Sequence, residues 1–185
     1  MVRFFVDSGE LLQKQAVLTG ENAQHARVLR LKQGEQVLLC DGEGNEALCT
    51  VADFGKDFCN VVILERRESS TEAAVRVSVY MSFPKSDKLE HVIQKATELG
   101  AYEIVTFPSA RCVSKPDEKS LKKKLERWQK IALSAAEQSG RGRIPKVIVL
   151  DSFAQALKRA AEADKALMFY EHEEATTLHM ALSQG

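Results

Sequence analysis

The spacing of apolar and polar positions changes about seventy residues into the chain. Up to that point, short apolar stretches alternate with polar turn residues, a pattern typical of β-strands. The predicted strands are 3–6, 36–40, 47–52 and 60–64. Glycine-containing loops at 41–45 and 53–57 favour hairpins, and 21–31 favours one short helix. This region therefore predicts a small β-barrel or sandwich.

A polar segment, 65–72, follows and indicates a linker between two domains, 1–70 and 73–185. Past it, strand-like apolar stretches alternate with segments whose apolar residues recur at helical spacing. The predicted strands are 75–83, 103–107, 146–150 and 166–170. Because strands that alternate with helices form parallel sheets, the second half predicts a parallel α/β domain.

Three helices are predicted between these strands, each with an apolar stripe for the sheet. The first has its start signal at Ser86 or Asp87, its end signal at Gly100, and the stripe Leu89, Val92, Ile93, Ala96 and Leu99. The second spans 117–139, with the stripe Leu121, Leu125, Trp128, Ala132 and Ala135. The third spans 153–163.

Composition narrows the class of protein. The 185 residues are 44% hydrophobic and 28% charged, as in ordinary soluble globular proteins. No apolar run reaches the ~18 residues of a membrane span. The N-terminal apolar stretch is too short for a signal peptide and carries Asp7 and Glu10, so we expect a cytoplasmic protein. The four cysteines and four histidines lack metal-ligand spacing, so we expect no metal site.

The net charge of zero conceals an uneven distribution. Residues 1–70 hold 8 Lys and Arg against 11 Asp and Glu, whereas residues 84–147 hold 14 against 8. A basic middle between acidic flanks indicates a surface that faces a polyanion. The alternative for its most basic part, Lys122–Lys124, is an ordinary solvated helix face.

Familiar catalytic signatures are absent from the sequence, because no glycine-rich phosphate or dinucleotide loop follows a predicted strand and no GxSxG occurs. Two polar stretches remain as candidate anion sites. Arg27 and Arg30 would be helix neighbours able to clamp a phosphate, or else form a solvated helix edge. Lys85 and Lys88 follow a strand at the edge where α/β sheets bind ligands, or else flank a capped helix start.

The third polar stretch is AAEQSGRGRIP, residues 135–145. Gly140 and Pro145 are typical of a helix end. Arg141 and Arg143 suit the negative end of the helix dipole. Helix termination does not explain the glutamate and glutamine before them, so the stretch predicts a polar cluster in a loop.

Four segments together resemble the bacterial small-subunit ribosomal RNA methyltransferases of the E type, of the SPOUT (trefoil-knot) class. They are HARVLRLKQGE (25–35), PKSDKLEHVIQKATELG (84–100), SARCVSK (109–115) and LERWQKIALSAAEQSGRGRIP (125–145). They occur in the family's order across both predicted domains. The resemblance implies an N-terminal PUA-like β-barrel followed by a parallel-sheet α/β domain of the SPOUT type.

The resemblance also implies an activity, the S-adenosylmethionine-dependent methylation of N3 of a uridine in 16S rRNA of the small ribosomal subunit. It implies a homodimer, with RNA as the partner and no metal. It does not identify the catalytic base. Basic residues of the matching segments become candidate RNA contacts, namely Arg27, Arg30, Lys85, Lys88, Arg111, Arg141 and Arg143.

One departure from the family concerns the cofactor. The family's Gly-Pro-Glu-Gly-Gly and Leu-Gly…Arg…Glu-Thr segments have no counterpart up to Gly185. The α/β domain therefore looks truncated, and we expect the 185-residue chain alone to be inactive. Tyr170, Glu171 and His172 would border the cofactor pocket, or else begin an exposed acidic loop. The alternatives are a non-catalytic RNA-binding or ribosome-assembly module, and an enzyme that binds a small phosphorylated substrate at 84–88.

Overall fold

In the computed structural model the described residues are 1–85, 88–110, 112 and 117–183. The first half of the chain folds mainly as β-strands, as its short apolar stretches predict. The strands are β1 (Val2–Phe5), β2 (Gln15–Thr19), β3 (Gln36–Cys40), β4 (Asn45–Phe54) and β5 (Phe58–Glu68). Two helices, α1 (Ser8–Leu11) and α2 (Gly20–Val28), lie between the first three strands.

These strands form one five-stranded sheet in the order β1-β3-β4-β5-β2. The pair β1–β3 is parallel and the other pairs are antiparallel. The register of β4 and β5 shifts twice, and bulges of this kind bend a sheet. The buried side chains of the sheet form one apolar core, which includes Phe4, Leu18, Leu39, Val51 and Val61.

The segment predicted as a linker begins as a strand. Residues 65–68 pair with 45–48 of β4, although their side chains are polar and exposed. Backbone pairing with β4 outweighs the polar composition, and Arg67 gains a buried partner in Glu46. The prediction of a linker is thus wrong over 65–68. Strand β2 was not predicted, although its alternating Ala16 and Leu18 point into the core.

The second half forms a three-stranded parallel sheet in the order β6-β7-β8, so the predicted parallel α/β arrangement is confirmed. Its strands are β6 (Ser78–Ser82), β7 (Glu103–Phe107) and β8 (Lys146–Val149). Its helices are α3 (Lys88–Glu98), α4 (Glu118–Ser139), α5 (Phe153–Ala160) and α6 (Leu178–Ser183). The predicted caps of α3, Ser86 and Asp87, lie outside the described residues.

Helices cover both faces of the central strand β7, whose five residues are all buried. Ile104 packs against α3 and α4 in a core that contains Ile93, Trp128 and Ala132. Successive side chains of a strand point to opposite faces, so Phe107 lies on the face opposite Ile104. There its ring packs against the ring of Phe153 of α5, with the ring centres 5.6 Å apart. Because Trp128 and Ala132 of α4 belong to the same core as Ile104, the predicted apolar stripe of α4 faces the sheet.

Two predictions in this half are wrong. Residues 166–170 form no strand, and their side chains, from Leu167 to Tyr170, are 42 to 79% exposed. A strand requires a pairing partner, and this apolar segment pairs with no described strand. Leu99 was placed on the apolar stripe of α3 but is 87% exposed, because the helix ends at Glu98 and the chain turns at Gly100.

Candidate nucleic-acid interface

The loop that follows α4 lies between the two domains. The helix ends at Gly140, whose φ of 74° is the left-handed conformation that favours glycine. The amide of Arg141 then donates to the carbonyl of Ala136 at 2.9 Å, which satisfies a carbonyl of the last turn. The helix-stop part of the sequence prediction is confirmed, and the loop 141–145 leaves α4 toward the barrel.

Arg141 is 4% exposed and braces this loop from inside the protein. Its Nη1 donates to the carbonyls of Thr97, at 3.1 Å, and Ala101, at 2.7 Å. Its Nη2 lies 2.5 Å from a carboxylate oxygen of Glu72. Since α3 ends at Glu98, the guanidinium also lies at the negative end of that helix. In this position Nη1 and Nη2 of Arg141 are bonded within the protein, whereas its buried Nε has no partner among the described residues.

Glu72 binds three consecutive residues of the loop. One carboxylate oxygen pairs with Arg141, and the other accepts hydrogen bonds from the backbone amides of Gly142 and Arg143, both at 3.0 Å. Hydrogen bonds to an ionised acceptor are about twice as strong as neutral ones. The segment between β5 and β6 is therefore tied to the loop by a single side chain.

Gly142 allows the loop and this segment to approach closely. A Cβ at this position would lie 2.3 Å from Oγ of Ser69 and 2.4 Å from its Cβ, which is too close for any side chain. Only a glycine admits this approach without displacing Ser69.

Arg143 connects the loop to the barrel and remains half-buried. Its guanidinium donates to the carbonyl of Glu43, and the amide of Ile144 donates to the carbonyl of Gly42 at 3.0 Å. Its Cζ also lies 5.0 Å from the centre of the Tyr102 ring, which Arg76 approaches at 4.9 Å. These groups line a polar cleft of about 360 Å³ between the hairpin 41–45 and the α/β domain.

The acid that helix termination left unexplained, Glu137, is half-buried on α4. It lies close enough to His25 and Glu21 of α2 to interact electrostatically. Burial raises the pKa of Glu137 above its ordinary value, while His25 opposes and Glu21 reinforces this shift. The neighbouring Gln138 is exposed.

Of the two predicted anion sites, the arginine pair is placed differently from expectation and the lysine pair as expected. Helix α2 ends at Val28, and Arg30 follows it with a φ of 53°, so Arg27 and Arg30 are not neighbours on one helix face. Both are exposed, and Arg27 donates to the carbonyl of Gly55 at 2.6 Å. Lys85 and Lys88 are exposed at the carboxyl edge of the parallel sheet. Arg111 lies outside the described residues.

The predicted cofactor residues follow the segment that was expected to be a strand. Tyr170 is 61% exposed, and the side chains of Glu171 and His172 are each 72% exposed. The Tyr170 and His172 rings meet edge to face, 5.4 Å apart. These three side chains do not line the cleft at the domain junction.

One buried charge network was not predicted from the sequence. Glu46 is 2% exposed, and its carboxylate binds Arg3 at 2.6 Å and Arg67 at 2.9 Å. Burial alone would raise the pKa of Glu46, but the hydrogen bonds from both guanidinium groups outweigh it and lower the pKa. The alternation of β4 places Ala47, Cys49 and Val51 in the core and Glu46 on the other face, so the sequence held no signal for this network.

In the part of the chain that the structure describes, no helix is long and apolar enough to cross a membrane. No group of three or more His, Cys, Asp and Glu side chains there is arranged to hold a metal ion.

Two family models of RNA methyltransferases match the chain. Residues 18–64 match the RNA methyltransferase PUA domain, and residues 71–184 match the RNA methyltransferase domain. The ribosomal RNA small subunit methyltransferase E of Bacillus subtilis is 40% identical over 179 residues, which are 92% of this chain and 68% of that protein. The Mycobacterium bovis protein of the same name is 38% identical over 94% of this chain and 67% of that protein.

A solved structure extends the comparison to the fold. The ribosomal RNA small subunit methyltransferase E of Neisseria gonorrhoeae, bound to S-adenosyl methionine, matches with a TM-score of 0.76 and 29% identity. The match covers 86% of this chain and 66% of that one. The predicted fold, a PUA-like barrel followed by a SPOUT-type α/β domain, is confirmed. The chain therefore belongs to the RNA methyltransferase family that includes ribosomal RNA small subunit methyltransferase E.

Proposed function

We propose that this protein takes part in the S-adenosylmethionine-dependent methylation of N3 of a uridine in 16S rRNA. The observation that supports this most is the presence, in one chain, of a PUA-type and a methyltransferase-type domain of RNA methyltransferases. The contacts of Arg143 and Ile144 with the hairpin 41–45 hold the two domains against each other. RNA held by the barrel thus reaches the α/β domain in a defined orientation.

The proposed RNA contacts are the cations that remain accessible. They are Arg27, Arg30, Lys85, Lys88 and Arg143. Arg111, which lies outside the described residues, is proposed from the sequence alone. Cations at such positions neutralise phosphates and orient the RNA without reading its bases. Arg141 is not among the proposed RNA contacts. We assign it a structural role, because its guanidinium is bonded within the protein.

Salt dependence tests a phosphate contact by Arg27. Replacement by alanine removes one neutralised phosphate, so the slope of log affinity for single-stranded RNA against log salt should fall by about 0.7. The matched control is Lys158→Ala, which removes an exposed charge on α5. An Arg27→Ala slope equal to that of the control would remove Arg27 from the set.

The proposed cofactor contacts are Tyr170, Glu171 and His172. Their segment exposes an aromatic ring, a carboxylate and neighbouring apolar side chains, and this set suits the adenine and the cationic sulfonium of S-adenosylmethionine. When bound, the cofactor supplies an activated methyl group. The chain's own residues then have to align the RNA with it.

Two measurements test the proposal. Calorimetry, on a form of the protein that also carries the family's cofactor segments, should detect S-adenosylmethionine binding that Tyr170→Ala weakens. Transfer of a labelled methyl group to 16S rRNA or small subunits, followed by nuclease digestion and mass spectrometry, should locate the label on N3 of a uridine. RNA binding without cofactor binding or methyl transfer would favour the second candidate, a non-catalytic RNA-binding module, which the PUA-type barrel supports.

We also propose a cytoplasmic homodimer. Exposed apolar side chains such as Leu167, Met168 and Phe169 are close in sequence, and exposed apolar patches commonly mark protein interfaces. Light scattering after gel filtration should give twice the 20.6 kDa mass of the chain. A monomer at micromolar concentration would contradict the dimer.

A further inference from the structure

Two arginines share one tyrosine ring in the cleft between the domains. Cζ of Arg76 lies 4.9 Å and Cζ of Arg143 lies 5.0 Å from the centre of the Tyr102 ring. Both distances fall within the ~6 Å range of cation–π attraction. The ring therefore holds two planar cations at defined positions on the wall of the cleft.

Neither cation has a carboxylate partner in the part of the chain that the structure describes. Among the described residues, no carboxylate forms an ion pair with Arg76 or Arg143. Arg141, which braces the same loop, has a full carboxylate partner in Glu72. Among the described residues, the buried Arg141 thus has a carboxylate partner, whereas Arg76 and Arg143 on the Tyr102 ring have none.

The two unpaired charges are close enough to repel each other. The distances to the shared ring centre place the two Cζ atoms no more than about 10 Å apart, which is comparable with the Debye length of about 8 Å at physiological salt. A bound anion between them would remove this repulsion. The pair therefore favours a single negative group, such as one phosphate.

The cleft has the size and lining of a site for one nucleotide. Its volume of about 360 Å³ lies at the lower end of the range for small-ligand sites. The cleft is also lined by Glu43, Asn45, Glu68 and Ser69, and the carbonyl of Glu43 accepts a hydrogen bond from the Arg143 guanidinium. Carboxylates there repel a phosphate and accept hydrogen bonds from base N–H groups, so a nucleotide would point its phosphate toward the arginines.

We propose that this cleft binds one unpaired nucleotide of the RNA, with its phosphate near the guanidinium groups of Arg76 and Arg143 and its base stacked on a guanidinium plane. Single-stranded bases commonly stack on arginine planes in this way. The inference rests on the proposed function, in which RNA is the substrate. It adds Arg76 and Tyr102 to the RNA-contacting residues, and it places the nucleotide between barrel and α/β domain.

The experiment measures binding of a fluorescein-labelled single-stranded RNA of about 15 nucleotides and of the corresponding duplex. Arg76→Gln should weaken binding of the single strand roughly 5- to 20-fold and of the duplex less than about twofold. Arg76→Lys keeps the charge and loses the plane, so it should give an intermediate loss. Tyr102→Leu should match Arg76→Gln, whereas Tyr102→Phe, which keeps the ring, should bind like wild type.

Controls separate this site from general electrostatics and from unfolding. Lys158→Gln removes one positive charge outside the cleft and should change single-strand binding less than about twofold. Thermal unfolding of each variant confirms that the fold is kept. An Arg76→Gln protein that binds single strands like Lys158→Gln, or loses duplex and single strand equally, overturns the nucleotide site alone. A wild-type protein that binds no RNA overturns the proposed function as well.

Discussion

Glu72 and Arg141 are 69 positions apart in the sequence, and their contact determines the path of the loop 141–145. Arg141 and Arg143 differ in environment although only a glycine separates them. Arg141 has a buried carboxylate partner and two carbonyl acceptors, whereas Arg143 has a carbonyl and an aromatic ring. The residue that the protein neutralises has a structural role, and the other remains available to a ligand.

Replacing Glu72 tests this assignment. Glu72→Gln keeps the shape of the side chain but leaves Arg141 buried without a countercharge, so the free energy of unfolding should fall by roughly 2–4 kcal/mol. Urea denaturation measures the change. Glu68→Gln, an exposed acid of the same connecting region, should stay within about 0.5 kcal/mol of wild type. Equal stability of the two variants would argue against a bracing role for Glu72.

The ionisation of Glu46 should make the stability of the barrel depend on pH in the acid range. Its folded-state pKa is lowered below the ordinary value of 4.5, so its ionisation stabilises the fold above about pH 4.5, and this stability is lost as the pH falls through the lower folded-state pKa. The free energy of unfolding should therefore decline below pH 4.5.

Glu46→Gln should lower stability at pH 7 and flatten this decline, because the group that takes up the proton is gone. The control is Glu65→Gln, an exposed acid of β5. Denaturation curves collected between neutral and acid pH make the comparison. If the free energy of unfolding falls equally steeply with pH in Glu46→Gln and in wild type, other carboxyls cause the decline.

At the scale of elements, the sequence predicted helix bounds correctly where residues that start or end a helix are present. Helix α4 begins after Asp117 and ends at Gly140, as predicted. Asp117 caps the first turn, and Gly140 adopts the left-handed conformation. Strand β5 shows the limit of such signals. Its last four residues are polar in sequence, yet the backbone of β4 pairs with them.

The cap of α4 gives a prediction at this scale. The Asp117 carboxylate accepts a hydrogen bond from the amide of Ser120 at 2.8 Å, so Asp117→Ala should lower the free energy of unfolding by about 1 kcal/mol. Lys119→Ala, an exposed substitution in the first turn, should have a smaller effect. Urea denaturation distinguishes the two, and a loss no larger in Asp117→Ala than in Lys119→Ala would contradict the capping role.

At the scale of the whole molecule, the close contact at Gly142 joins the segment after the barrel to the loop after α4. Gly142→Ala would force Ser69 away from this contact, so we expect a loss of about 1–3 kcal/mol in the free energy of unfolding. Gly9→Ala is the control, because a Cβ there meets nothing within 4 Å. Calorimetry should show a lower Tm for Gly142→Ala only, and equal Tm values would argue against a tight junction.

The sequence by itself determined the elements that local spacing encodes. Residues 36–40 and 103–107 form strands with the predicted bounds, and Trp128 and Ala132 of α4 face the core. The family resemblance supplied the type of each domain. These features follow from backbone periodicity and from residues that start or end a helix, so a short window of sequence contains them.

Only the tertiary structure decided what the polar residues do. Arg141 became a brace because Glu72 reaches it, and the apolar residues 166–170 failed to form a strand because they have no partner in the described sheet. The pairing of Arg76 and Arg143 on Tyr102 joins residues from three separate parts of the chain. The physical reason is that a charged or apolar side chain takes its role from the groups that surround it, and those groups come from distant positions that no local spacing specifies.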